Sequence, residues 1–331
     1  MTHEDDVPAL RADRLGKRYG HVWGLRDCTF AVPAGSVVGL VGPNGAGKTT
    51  LLALTVGLLA PTEGRVAVLG ETSRAHTEAT LARVSYLAQD HPLYGTFTVA
   101  DMFHFGRVMN PSWDQALAEA RMDALGIPLR RKVKALSGGQ QAQVSLTLAL
   151  AKAAPLLVLD EPVASLDPIA RLDFMRDVMA ASAESSLTVV IASHVISELE
   201  RLCDWLIVLN GGRLQLAGQV DELLAKHRML TVPRATPDAG LPGTIISRAD
   251  SDRHSTVLVA ADVAREAEAH LAGSGPAEPR PAGERRRAWP SEPVGFEQLV
   301  LAYLQRPPTT AAADDRSRAD VRRGPARRMV S

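Results

Sequence analysis

The stretch SVVGLVGPNGAGKTT, residues 36–50, decides how the rest of this chain is read. Residues 36–42 form a short apolar run ending in glycine, the pattern of a strand buried on both faces. Residues 42–49 then fit G-x-x-x-x-G-K-[ST], and the run LLALTVGLL that follows reads as a helix. A glycine loop between a strand and a helix turns successive backbone N–H groups inward around a polyphosphate, and the helix adds its positive end. Lys48 supplies a point charge for the β- and γ-phosphates. The Thr49 hydroxyl is a hard oxygen ligand suited to Mg²⁺. The stretch therefore predicts a nucleotide site.

Working outward, apolar strands are expected at 156–159, 187–192 and 205–209, with helical stretches between them. That alternation predicts an α/β fold with a mostly parallel sheet covered on both faces. LLVLDEP, residues 156–162, ends in Asp160 and Glu161. A carboxylate at the C-terminal edge of such a strand can hold Mg²⁺ through a water, and a second just beyond it can orient or deprotonate an attacking water. LTVVIASHV, residues 187–195, sets His194 just past the end of another strand, and Gln89 follows VSYLA in the same way. Residues 99–134 read as a helical insert, as in WDQALAEARMDALGI. ALSGGQQAQVSL, residues 135–146, sets two glycines ahead of a run of good helix formers. Glycine at a helix start costs conformational entropy. Either this is a loose loop with a serine cap, or something must approach the backbone very closely.

Composition narrows the class. The 37 basic residues cancel the 37 acidic ones, which argues against a general nucleic-acid or membrane-surface binder. The two cysteines, Cys28 and Cys203, lie far apart with no metal-like spacing, so a disulfide framework is not expected and a reducing compartment is. The first residues, MTHEDDVPALRADR, have no apolar core and do not read as a signal peptide. The longest apolar run, 144–159, contains Lys152 and Pro155 and falls short of a span of about 20 residues, so no membrane crossing is expected.

Beyond residue 228 the composition shifts. Residues 242–260 read as two strands around a polar turn, DVAREAEAHLA (262–272) as a helix, 273–293 as a Pro/Gly/Arg-rich linker, and GFEQLVLAYLQ (295–305) as an amphipathic helix. Residues 305–331 have the composition of a disordered tail.

Together these residues resemble the nucleotide-binding subunits of ABC transporters, over roughly residues 8–227. The resemblance rests on the phosphate loop at 42–50, Gln89 of the Q-loop, LSGGQ at 136–140, LLVLDEP at 156–162, SLDP at 165–168 and His194, in the family's order and spacing. It implies a mostly parallel core sheet with an antiparallel β subdomain and a helical insert at about 90–150, making an ATPase domain over 1–228. A small α+β extension occupies 229–304. Gly42, Pro43, Asn44, Gly45, Ala46, Gly47, Lys48, Thr49 and Thr50 would hold ATP, with Tyr19 stacking on adenine. Thr49, Gln89 and Asp160 would serve Mg²⁺. Glu161, His194 and Gln89 would carry the chemistry. Ser137, Gly138, Gly139 and Gln140 would complete the ATP site of a second ABC ATPase subunit, identical or different, across a head-to-tail dimer.

One departure stands out. Family members usually carry basic residues just after the signature, as Q-R-Q-R or Q-[RK]-x-R, whereas this chain reads Gln140-Gln141-Ala142-Gln143. NPSWD (110–114), EPVASLDP (161–168) and FEQLVLAYL (296–304) look most like bacterial ABC-2 type exporter ATPases. The resemblance then implies an ATPase that drives export through separately encoded permease subunits, on the cytoplasmic face of the membrane. The alternative is a soluble ABC ATPase acting on ribosomes or DNA. Members of that kind carry two ATPase domains, long coiled coils or zinc modules, and none of these patterns is visible here.

Overall fold

The computed structural model describes residues 7–72, 81–90, 92–164, 166–260 and 289–306. Its central strands are β3 (Val37–Val41), β6 (Val84–Leu87), β7 (Leu156–Asp160), β8 (Thr188–Ser193), β9 (Trp205–Asn210) and β10 (Arg213–Gln219). They form a six-stranded sheet in the order β10-β9-β3-β8-β7-β6. All pairings are parallel except β10 with β9, which turns back through Gly211 and Gly212. Every residue of β3, β7 and β8 is buried, as their unbroken apolar character demands.

A second sheet is antiparallel. It pairs β1 (Leu10–Tyr19), β2 (Val22–Val32), β4 (Glu63–Val68) and β5 (Glu71–Thr72) in the order β2-β1-β4-β5. The helices are α1 (Lys48–Thr55), α2 (Val99–Met109), α3 (Gln115–Ala124), α4 (Gly138–Ala151), α5 (Pro168–Glu184), α6 (Ile196–Leu199), α7 (Val220–Ala225) and α8 (Phe296–Gln305).

Strand alternation sends neighbouring residues into two different cores. Val38, Leu40, Val158, Val190 and Ile207 meet Leu51 and Leu52 of α1 and Leu10, Leu15 and Leu25 of the antiparallel sheet. Val37, Val41, Leu157, Leu159, Val189 and Ile191 meet Leu146 of α4, Phe174 and Val178 of α5, and Phe296, Leu299 and Val300 of α8. A third cluster ties the insert together: Val99 and Phe103 of α2, Ala118 and Met122 of α3, and Val144 and Ala151 of α4. Cys28 and Cys203 are buried free thiols, and burial above all pushes Cys203 up to about 12. Among the described residues no helix is long and apolar enough to cross a membrane. The apolar run at 144–159 is the last eight residues of α4 and the first four of β7, with Pro155 in the turn between them.

The structure departs from the sequence reading in two places. The helix expected over LLALTVGLL ends at Thr55, because Val56 caps it and Gly57 turns the chain at φ 77°. Within the expected linker, residues 291–293 form a strand, β14 (Ser291–Pro293). It pairs with Arg228–Leu230 at the edge of a third sheet, where proline costs no ladder bond. That sheet joins β11 (His227–Pro233), β12 (Thr244–Asp250), β13 (His254–Ala260) and β14 in the order β12-β13-β11-β14. Pro290, just before β14, accepts from Thr231 N at 3.1 Å, while the expected helix at 262–272, linker residues 273–288 and residues 307–331 lie outside the described residues.

A buried histidine joins this third sheet to the last helix. His227 Nδ1–H donates to Leu223 O at 2.6 Å, and the Tyr303 hydroxyl donates to Nε2 at 2.9 Å. Burial, opposed by the bond to Leu223, lowers the His227 pKa below its ordinary value of 6.5. The unfolded chain therefore takes up this proton first. The neutral ring's contribution is present above the ordinary value and is lost as pH falls below it. His227→Gln is expected to flatten that acid-side loss relative to the parent, read as urea unfolding free energy at neutral and mildly acidic pH. Parallel pH profiles for the two proteins would exclude His227 as its source.

Candidate active site

β3 delivers the chain into the phosphate loop, and α1 leaves it. Gly47 is the N-cap of α1 at φ 102°, where a Cβ would sit 2.5 Å from Gly24 O and 2.7 Å from Leu25 Cδ2. Left-handed backbone combined with that close approach admits glycine alone. Lys48, the first helical residue, is buried and folds back. Its ammonium donates to Gly42 O at 2.7 Å and Pro43 O at 3.5 Å, and lies 3.5 Å from Glu161 Oε1.

The two carboxylates at the end of β7 have separate environments. Asp160 accepts hydrogen bonds from the Thr49 and Tyr86 hydroxyls. Burial raises its pKa, and the Thr49 bond and the Lys48 charge oppose that rise. One of its oxygens, Oδ1, is buried and has no hydrogen-bond partner among the described residues. Glu161 holds φ 50°, a left-handed conformation that costs a residue with a Cβ on the order of 1–2 kcal/mol. Its backbone N–H donates to Ala192 O at 3.0 Å, and its Oε2 accepts from His194 Nδ1.

Gly24, Pro43–Thr50, Gln89, Glu161 and His194 line one cleft of about 540 Å³. Three of the strand-end residues singled out from sequence thus share it: Gln89 after β6, Glu161 after β7 and His194 after β8. Tyr19 stands at the rim, exposed, with its hydroxyl 3.5 Å from Thr50 Oγ1. Ser137–Gln140 are not among the residues lining the cleft.

The signature glycines open α4. Ser137 Oγ accepts from Gln140 N at 3.2 Å, and Gln140 Oε1 accepts from Ser137 N at 3.1 Å, a reciprocal cap. The serine-cap reading is therefore correct as far as it goes. It does not account for Gly138, where a Cβ would meet nothing within 4 Å. Nothing among the described residues requires glycine there. Ser165 of SLDP lies outside the described residues. Asp167, in the same motif, caps α5 through Ile169 N and Ala170 N, both at 3.0 Å.

Sequence reasoning missed Tyr86. It pairs in register with Val158 on β7, and its hydroxyl reaches Asp160. Burial first, and then the Asp160 charge, push it up to about 12, so it stays a donor. A tyrosine in VSYLA reads as packing, and only the strand order reveals the carboxylate beside it. Also missed was an exposed aromatic group after Gln89. Tyr94 lies 5.1 Å from Phe97 and 6.1 Å from Phe105 between ring centroids.

This arrangement defines a P-loop nucleotide-binding ATPase. The family model described as ABC transporter matches residues 25–164. The chain is 35% identical over 228 residues to Nod factor export ATP-binding protein I of Ralstonia nicotianae, covering 66% of this chain and 69% of that one. It is 32% identical over 240 residues to phosphonates import ATP-binding protein PhnC of Maricaulis maris, covering 66% and 91%. A solved structure of an ATP-binding subunit of an ABC transporter superposes with TM-score 0.60 at 25% identity, over 66% of this chain and 92% of that one. The chain belongs to the ATP-binding proteins of ABC transporters, a family of ATPases.

Gly47→Ala is expected to cost about 1–3 kcal/mol through backbone strain and overlap with Gly24 and Leu25. Chemical denaturation of the ligand-free protein checks this, and an unchanged midpoint would contradict the close approach.

Proposed function

We propose that this chain powers export of a substrate across a membrane, working as one of two ATPase subunits that close head-to-tail on MgATP against separately encoded permease subunits. One observation carries the reading. The cleft gathers the phosphate loop, Gln89, Glu161 and His194, while the signature at Ser137–Gln140 caps a helix elsewhere with open space over Gly138. A site lacking its last donors and a set of donors lacking a site suit a second subunit.

In this reading Lys48, Thr49 and the loop amides hold the phosphates, and Tyr19 faces the base. The residues present fit Mg²⁺. That ion keeps waters and takes few protein ligands besides substrate phosphates, and here Thr49, Gln89 and the unpartnered Asp160 oxygen would serve it. Bound there, it would neutralise charge on the phosphates. Glu161 orients or deprotonates water, and His194, hydrogen-bonded to Glu161, steadies water and γ-phosphate. Gly138 lets the partner's γ-phosphate approach the backbone, and the N-terminus of α4 favours its charge. Residues 1–228 act as the ATPase cassette with its insert at about 90–150, and 229–304 as an accessory unit.

Exposed Tyr94, Phe97, Phe105, Val108 and Met109 support a permease-facing surface on the insert. Such contacts set the chain on the cytoplasmic face of the membrane. Export is favoured by NPSWD and EPVASLDP, which resemble the ABC-2 type, although relatives include both an export and an import protein.

Glu161→Gln is expected to bind ATP, turn over at least about a hundredfold more slowly, and accumulate as an ATP-dependent dimer. Near-normal phosphate release would remove Glu161 from this role. Lys48→Ala is expected to lose nucleotide affinity in equilibrium titration, and unchanged binding would count against the loop assignment. The function itself is tested by purifying tagged Glu161→Gln protein with MgATP from gently solubilised cells. A co-purifying polytopic membrane protein supports transport. Ribosomes or DNA factors without a membrane partner would overturn it.

A further inference from the structure

The sequence departs from its family just after the signature, where Gln141 and Gln143 stand in place of the usual basic residues. Gln143 is buried on α4, and its side chain faces a cation after all. That cation is Arg121, one turn from the end of α3. Its Nη2 donates to Gln143 Oε1 at 3.3 Å and to Asp177 Oδ2 of α5 at 3.1 Å, and its Nε donates to Thr147 Oγ1 at 3.2 Å. Thr147, fully buried, in turn donates to Gln143 O at 2.8 Å. Side-chain exposures of 19% for Arg121 and 20% for Asp177 take the ion pair well out of bulk water.

We propose that Arg121 is a positioning residue for the signature: it returns from α3 the positive charge that α4 lacks, and it fixes how α4 crosses α5. The argument rests on the number of contacts needed to set a helix direction. Near its start α4 approaches α5 tightly, since a Cβ on Gly139 would lie 3.2 Å from Ala170 Cβ. Farther along, Ala142 and Leu146 pack into the core with Phe174, but apolar burial is not directional. The guanidinium fork is directional, and it spans α4 and α5 at once. Gln143 lies six residues beyond Ser137, about 9 Å along the axis. A pivot at that distance displaces Ser137–Gln140 relative to whatever they must meet. A basic residue at position 143 would face Asp177 from α4 itself. Here the same charge arrives from the insert, so α3 and the signature move as one body.

This inference rests on the two-subunit reading, in which the signature acts on the partner's nucleotide. It predicts a split. Binding of ATP to the chain's own phosphate loop should ignore Arg121, and ATP-driven dimerisation should depend on it. The experiment uses the full chain carrying Glu161→Gln as parent, with Arg121→Gln and the transposed pair Arg121→Gln with Gln143→Arg. Sedimentation in saturating MgATP gives the protein concentration at half-dimerisation, and a fluorescent ATP analogue gives the affinity of the monomer.

Arg121→Gln is expected to raise the half-dimerisation concentration about tenfold while leaving analogue affinity within about twofold of the parent. The transposed pair is expected to recover most of the loss. Dimerisation at the parental concentration, an equal loss of analogue affinity, or failure of the transposed charge to restore anything would each overturn the proposal. Should Arg121→Gln not fold, recovery of folding and dimerisation by the transposed pair supports it and failure overturns it. A parent that forms no dimer with ATP would overturn the two-subunit reading, and this proposal with it.

Discussion

A buried ammonium organises this molecule. Lys48 retains 6% of its surface, and a cation so enclosed is tolerable only with oxygen partners around it. Those partners are Gly42 O and Pro43 O, just past the end of β3, and Glu161, just past the end of β7. Bringing them together requires β3 and β7 in one parallel sheet with their C-terminal ends aligned. β8 lies between the two, so the residue leaving its end, His194, emerges beside Glu161. The cleft is thus a consequence of strand order. The left-handed backbone at Glu161 fits the same constraint, since its N–H is tied to Ala192 on β8 while its carboxylate turns toward Lys48.

Residues that act where an unbroken apolar strand stops could be read directly from sequence. SVVGLVG, LLVLD and TVVIAS have no polar face, so each must be a central strand; Asp160 closes the second, and Lys48, Glu161 and His194 follow their ends. Gln89 is readable for the same reason. What escaped depends on neighbours distant in the chain. Tyr86 looks like packing until β7 is set beside β6. Arg121 reads as one charge on a solvated helix face, and its partners lie 22, 26 and 56 residues away. Residues 291–293 escaped for a different reason. Serine, glutamate and proline carry no strand signal, and only the free edge of β11 recruits them.

The aromatic group at Tyr94, Phe97 and Phe105 and the signature at Ser137 are kept available in the same way. Thr98 caps α2 with a reciprocal bond to Asp101, which holds the helix start firm while the rings around it stay exposed. Ser137 and Gln140 do the same for α4, and the serine oxygen accepts in that cap while its proton remains free to donate. Both helix starts are rigid and uncovered, so a contact there would be met by preordered groups with little entropy left to lose.

The placement of α8 bears on how the chain comes off the ribosome. Phe296, Leu299, Val300 and Tyr303 fill the same core as strands that begin at Val37, and Asn210 at the end of β9 donates to Leu304 O at 2.8 Å and Arg306 O at 3.2 Å. Synthesis delivers the phosphate loop early and this helix some 250 residues later, at roughly 5–20 residues per second. β9 ends at Asn210 and α8 begins at Phe296, so for the last 86 residues of that interval, about 4–17 seconds at this rate, one face of β9 lacks its cover and the sheet has an open flank. A nascent chain therefore carries the loop after β3 and the ends of β7 and β8 before it holds the wall behind them, and during this lag the uncovered apolar face is open to its neighbours.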